Sequence, residues 1–337
     1  MYTCYNFTLF KGHFLIVHIM RIFKIISLTF STVAAIGIVS IAVASNDIPK
    51  TSSNVLGAIS IPTTRQLPSQ TFGDILVNIP IVPVKKSETS QPQILAESAV
   101  IIDLESATPL FEKNSHIPQY PASTTKIATA LVALSTYSNS DILTVPSDIY
   151  QQSQGSSADL VPGDQLSAHD LIRLLLIGSA NDAAYTLAIN HPNGYDTFVS
   201  KMNDLAHATH LSNTSFSNPI GYDSQNNIST AYDLSILTVF ALKEPEFRGI
   251  VSMPTFTASS TLIPQKTYSV TSTNELLTTV KGVTGVKTGW TPLANGLLIT
   301  SIERNGHEVI IVVANSRERE TDTRLLIDWV YNNYTWE

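Results

Sequence analysis

Residues 120–134 read YPASTTKIATALVAL. Ile127, Ala130, Leu131 and Leu134 recur at the i, i+3, i+4, i+7 spacing of a helix with one buried face, so the pattern predicts a helix over residues 124–134. Pro121 suits the residue before a helix start, and Ser and Thr suit the first turn. Ser123 and Lys126 are three apart and would share a face within one turn. A hydroxyl is a poor nucleophile until a base takes its proton, and a partly desolvated lysine is such a base if its pKa falls. The helix N-terminus adds a positive field and free N–H groups for a developing oxyanion. This is the one S-x-x-K among the chain's 12 lysines. The spacing by itself equally fits a capping serine beside a solvated lysine.

Outward from this helix the chain alternates β-rich and helical runs. Residues 98–103 (SAVIID) and 109–112 read as strands joined by a polar turn, a hairpin. GLLITSIE and EVIIVVAN flank Arg304-Asn305-Gly306-His307, and Asn-Gly between two β-rich runs marks a second hairpin. Residues 171–177 form a nearly continuous apolar run, residues 231–242 are amphipathic, and residues 322–331 read as a last helix. Strands at both ends with helices between them predict an α+β fold, an antiparallel sheet with helices on both faces.

The 337 residues are 43% hydrophobic and 14% charged, which excludes disorder throughout. A net charge of −7 without a run of Lys or Arg argues against a nucleic-acid partner. Cys4 is the one cysteine, so a disulfide scaffold and a cysteine-built metal site are excluded. No metal or cofactor is expected.

Two further motifs accompany Ser123 and Lys126. Ser179-Ala180-Asn181 directly follows the apolar run; three other S-x-N matches exist, but only this one ends a hydrophobic helix. Lys287-Thr288-Gly289 lies in GVTGVKTGW, where glycine allows a close backbone approach and Lys with Thr offers a charge and a hydroxyl to a carboxylate. S-x-x-K, S-x-N and K-T-G in that order form the signature of serine penicillin-recognising enzymes. The stretch ILAESAVIIDLESATPLFEKNSHIPQYPASTTKIATALVAL resembles the start of a D-alanyl-D-alanine carboxypeptidase of the low-molecular-mass penicillin-binding type. PGDQLSAHDLIRLLLIGSANDAA, NPIGYD, ISTAYDL, STNELL and LLIDWVYNN are similar to that family at matching places, over about residues 94–335.

The resemblance implies a β-lactamase/transpeptidase-like fold and removal of the terminal D-Ala from peptidoglycan stem peptides through an acyl-enzyme, with β-lactams as inhibitors. It assigns Ser123 as nucleophile, Lys126 as its base and Ser179 as proton relay toward the leaving amine. Asn181 would contact the substrate peptide, Lys287 supply charge and Thr288 bind the terminal carboxylate. The main-chain N–H groups of Ser123 and Trp290 would form the oxyanion hole. Arg319 fits the family's carboxylate-binding arginine, with Arg317 the neighbouring candidate. Trp290 stands where the family varies.

Other readings explain less. The histidines of the body (His116, His169, His191, His207, His210 and His307) lack a nucleophile-elbow G-x-S-x-G context and read as surface or packing residues. A class A-like β-lactamase needs a Glu between S-x-N and K-T-G for deacylation, and none occurs between Asn181 and Glu244. A non-catalytic cell-wall module would not need both Ser123 and Lys126.

Residues 25–46 form an uncharged apolar stretch long enough to span a bilayer, preceded by Arg21 and Lys24. Ala42-Val43-Ala44 also resembles a signal-peptidase site, so residues 1–46 read either as a retained anchor or as a cleaved signal, and Met20 is an alternative start. Either places the body on the extracytoplasmic side of the envelope. Residues 47–94, rich in Pro, Ser and Thr, read as a linker to a body at 95–337. The family often carries a C-terminal β-domain and terminal amphipathic anchor; here tethering is expected through the N-terminal segment.

Overall fold

The computed structural model describes residues 81–86 and 90–336. The apolar segment 25–46 and the linker up to residue 80 lie outside the described residues. Five strands, β1 (Ser98–Asp103), β2 (Pro109–Lys113), β3 (Val283–Thr291), β4 (Asn295–Arg304) and β5 (His307–Ser316), form one antiparallel sheet in the order β2-β1-β5-β4-β3. The hairpin expected at Asn305-Gly306 joins β4 to β5. Both residues have positive φ, 56° and 80°, the conformation a two-residue turn of type I′ requires.

The apolar runs of β1 and β5 are continuous rather than alternating because both faces of the sheet are covered. Val100, Ile102, Ile299, Ile310 and Val312 pack into a large core with the central helices. Ala99, Ile101, Leu298, Ile311 and Val313 pack on the other face against Leu326, Ile327 and Val330 of the last helix. Each fully buried Ile, Leu or Val contributes about 2 kcal/mol through removal from water. The expected α+β architecture is the observed one.

The helical layer contains α1 (Lys126–Thr136), α2 (Ala168–Ile177), α3 (Asn181–Ile189), α4 (Tyr195–Ala208) and α5 (Ala231–Ala241); α6 (Arg319–Asn333) covers the opposite face. The Ser167 and Thr230 side chains cap α2 and α5, each accepting the N–H of an aspartate three residues on at 3.0 Å. That cap starts α2 at Ala168, ahead of the apolar run at residue 171. The helix expected from residue 124 differs as well. Residues Ala122–Thr125 form a 3₁₀ turn, and the α-helix begins at Lys126. Thr124 causes this by sending both its N–H (3.1 Å) and its hydroxyl (2.6 Å) back to the Pro121 carbonyl. Ser123 therefore stands in a tighter turn than the sequence pattern suggested.

The linker boundary at residue 94 also needs correction. Val84–Lys85 pairs antiparallel with Tyr334–Thr335, Pro83 is buried, and the Trp329 indole donates to the Ser90 carbonyl at 3.0 Å. Ile94 joins the core beneath α6. The proline-rich composition hid this docking, since proline is tolerated at an edge where it donates no N–H. A chain that starts at Leu95 should lose about 2 kcal/mol relative to one that starts at Ile81, and so melt roughly 4–8 °C lower for a domain of this size. Calorimetry of the two chains measures this, and equal melting temperatures would show that the docked segment adds nothing.

Candidate active site

Three separate segments meet at the seam between the helical layer and edge strand β3. Lys126, at the start of α1, is 0% exposed. Its Nζ lies 2.9 Å from Ser123 Oγ, 2.8 Å from Asn181 Oδ1 and 2.7 Å from the Ile220 carbonyl. A neutral lysine would donate to the two carbonyl oxygens and keep its lone pair for the Ser123 hydroxyl. Lys287, on β3, is 1% exposed and donates to Ser179 Oγ at 2.9 Å and to the Thr288 carbonyl at 3.0 Å. Thr288 Oγ1 lies 2.6 Å from Thr273 Oγ1.

The backbone is shaped around these contacts. Ala122 and Ser179 both hold positive φ, 46° and 58°, a conformation costing about 1–3 kcal/mol that clusters at functional sites. Gly221 has φ +97°, and a Cβ there would stand 1.9 Å from the Ala122 carbonyl oxygen, so only glycine lets the Ile220 carbonyl reach Lys126. A Cβ on Gly289 would lie 3.3 Å from the Ser123 nitrogen, which shows how closely β3 runs past the turn that carries Ser123.

Arg319, the first residue of α6, donates to the Gly289 carbonyl at 2.8 Å and to Glu320 at 2.7 Å. It thus lies directly behind the K-T-G segment, whereas Arg317 is exposed. The Trp290 side chain is 64% exposed, so its ring lines no buried wall.

Neither buried lysine forms an ion pair among the described residues. Burial pushes the Lys126 pKa well below its usual value; the nearby charge of Lys287 pushes the same way, and Asp182 opposes both. Burial, then Arg319, lowers Lys287 to about 7. A serine hydroxyl beside a neutral amine, backed by a second tunable lysine on a bridging serine, is an arrangement for acyl transfer.

The D-alanyl-D-alanine carboxypeptidase family, peptidase family S11, matches residues 85–318. The chain belongs to this family. It is 34% identical over 273 residues to the D-alanyl-D-alanine carboxypeptidase DacD of Escherichia coli, covering 77% of this chain and 67% of that protein. It is 31% identical over 255 residues to DacF of Bacillus subtilis, 73% of this chain. The chain spans 64% of the length of that relative. The DD-transpeptidase of Streptomyces K15 superposes with a TM-score of 0.69 at 29% identity, over 72% of this chain and all of that structure.

Sequence reasoning named Ser123, Lys126, Ser179, Asn181, Lys287 and Thr288, and the fold brings them together. It passed over the Ile220 carbonyl, Thr273 and Asp182. Thr273 and Gly221 lay within stretches that resemble the family, but no side-chain chemistry singled them out. Asp182 is one residue beyond the S-x-N motif.

The opposing charges around Lys126 make a test. Lys287→Gln removes a positive charge and should raise the Lys126 pKa. Lys126 must be neutral to accept a proton, so the acid limb of the acylation rate should move to higher pH. Stopped-flow acylation by a chromogenic β-lactam from pH 5 to 9 reads the limb. An unmoved limb would assign it to a group other than Lys126.

Proposed function

We propose that this member of the D-alanyl-D-alanine carboxypeptidase family is a serine hydrolase that removes the terminal D-Ala from peptidoglycan stem peptides. The observation that carries the reading is the buried Lys126 amine 2.9 Å from Ser123 Oγ. Ser123 Oγ attacks the carbonyl carbon of the penultimate D-Ala as its proton passes to Lys126. The main-chain N–H groups of Ser123 and Trp290 stabilise the oxyanion, a reading supported by the tight passage of Gly289 against the Ser123 nitrogen. The C–N bond then breaks, and the leaving amine takes a proton through the Ser179 hydroxyl, hydrogen-bonded to Lys287. Water attacks the Ser123 ester, releases the shortened peptide and restores the serine.

Asn181 holds Lys126 through Oδ1 and offers a polar face to the substrate peptide. Lys287, Thr288 and Arg319 receive the free carboxylate, whose arrival favours the protonated form of Lys287. β-Lactams acylate the same serine. A β-lactamase reading lacks its deacylating carboxylate: Glu246 pairs with His169, and Glu244 and Glu275 are exposed at the starts of other helices. The substrate places the enzyme in the cell envelope, held or delivered there by residues 25–46. Among the described residues no helix is long and apolar enough to cross a membrane.

Ser123→Ala should abolish both D-Ala release and covalent labelling by penicillin, read by amino-acid analysis and intact mass. An adduct on another residue would refute the assignment. Arg319→Ala should impair a peptide with a free C-terminal carboxylate about tenfold more than its C-terminal ester, as one charge-assisted hydrogen bond is lost. Equal losses on the two substrates would move the carboxylate site to another group.

A further inference from the structure

Asp182 is 1% exposed and, among the described residues, makes no hydrogen bond to Ser123, Lys126 or Lys287. Its carboxylate nevertheless collects a dense set of donors. It accepts the Ser157 hydroxyl at 2.7 Å, the Ala158 N–H at 3.1 Å and the Leu160 N–H at 3.0 Å, beside the Ala183 N–H of its own helix at 2.9 Å. The segment gripped in this way, residues 153–160, is otherwise irregular.

The same segment is fastened to Asn181. The Asn181 N–H donates to the Ser156 carbonyl at 2.8 Å, and its side-chain amide donates to the Gln154 carbonyl at 2.5 Å. Tyr222 donates its hydroxyl to that same Gln154 carbonyl at 2.7 Å. Gly155 has φ +104°, and a Cβ there would stand 2.9 Å from the Asn181 amide nitrogen, so the chain passes directly over that group. Asn181 Oδ1, the other end of the amide, accepts from Lys126. One amide thus links the loop to the proposed base.

We propose that Asp182 is a positioning residue for acylation: it clamps residues 156–160 onto the start of α3, so that the loop orients the Asn181 amide, and through it Lys126, toward Ser123. The inference rests on the acyl-transfer reading above and extends it to a residue outside the three motifs. Asp182 has a second effect through space. The charged groups facing Lys126 are Lys287 from β3 and Asp182 from α3, while the 218–222 turn presents the Ile220 carbonyl and carries Tyr222. Lys287 favours neutral Lys126 and Asp182 opposes it.

Asp182→Asn keeps the shape but loses the charge and half of the acceptor capacity. The full chain carrying this change should be acylated by penicillin about 100-fold more slowly, as expected for a misplaced base. Its acid limb should also move to lower pH, because neutral Lys126 now survives further into acid. A residue that only held the fold together would lower the melting temperature and leave the limb in place. Ser157→Ala loosens the clamp while keeping the charge, so it should slow acylation several-fold with an unmoved limb. Wild-type acylation rates in both variants, or an unmoved limb in a folded Asp182→Asn protein, would overturn the proposal. Should Asp182→Asn not fold, wild-type acylation of Ser157→Ala overturns it alone. Absence of penicillin labelling in the unmodified protein would instead refute the acyl-transfer reading itself.

Discussion

Two lysine side chains with no carboxylate partner among the described residues are buried at one seam, and the rest of the site follows from that burial. An isolated ammonium in a low-dielectric interior is so unfavourable that the group gives up its proton instead. Lys126 and Lys287 therefore have strongly lowered pKa values where an exposed lysine would stay charged. The acceptors around them are mostly neutral: Ser123 Oγ, Asn181 Oδ1, Ser179 Oγ and the carbonyls of Ile220 and Thr288. A carboxylate in any of those places would have held the lysine as a cation and left no neutral amine there to accept a proton.

The backbone around the seam departs from regular geometry where those acceptors are delivered. Ser179 follows α2 in a left-handed conformation, Ala122 adopts one as the first residue of the 3₁₀ turn, and Gly221 slides under the Ala122 carbonyl. The surrounding packing supports this strain: the helices carrying the motifs belong to one core, continuous with the inner face of the sheet. Rigid supports on both sides are what allow a strained turn to persist between them.

Much of this was legible because the chemistry resides in side chains with distinctive types and spacings. Ser123 with Lys126, Ser179 with Asn181, and Lys287 with Thr288 each announce a possible function, and the continuous apolar runs of β1 and β5 fit a sheet covered on both faces. What escaped was carried by the backbone or by ordinary residues. A carbonyl such as that of Ile220 has no sequence signature, and Asp182 next to Asn181 looks like a common acidic residue in a helix's first turn. The docking of Val84–Lys85 escaped for another reason: two residues are too few to show alternation, and proline-rich composition normally signals a tether.

The strand order carries a consequence for the life of the chain. β5, residues His307–Ser316, lies between β1 and β4, so the N-terminal hairpin is joined to β3 and β4 only through the last strand of this sheet to be made. Lys287 cannot be held against Ser179 by a closed sheet until that strand has arrived. A chain growing from its N-terminus would thus carry Ser123 and Lys126 for much of its synthesis as an unassembled pair. Such long-range closure cannot begin before that strand is made, and it is slower than the formation of local contacts. Reactivity toward an acyl donor then appears late and all at once, making acylation a report of completed folding.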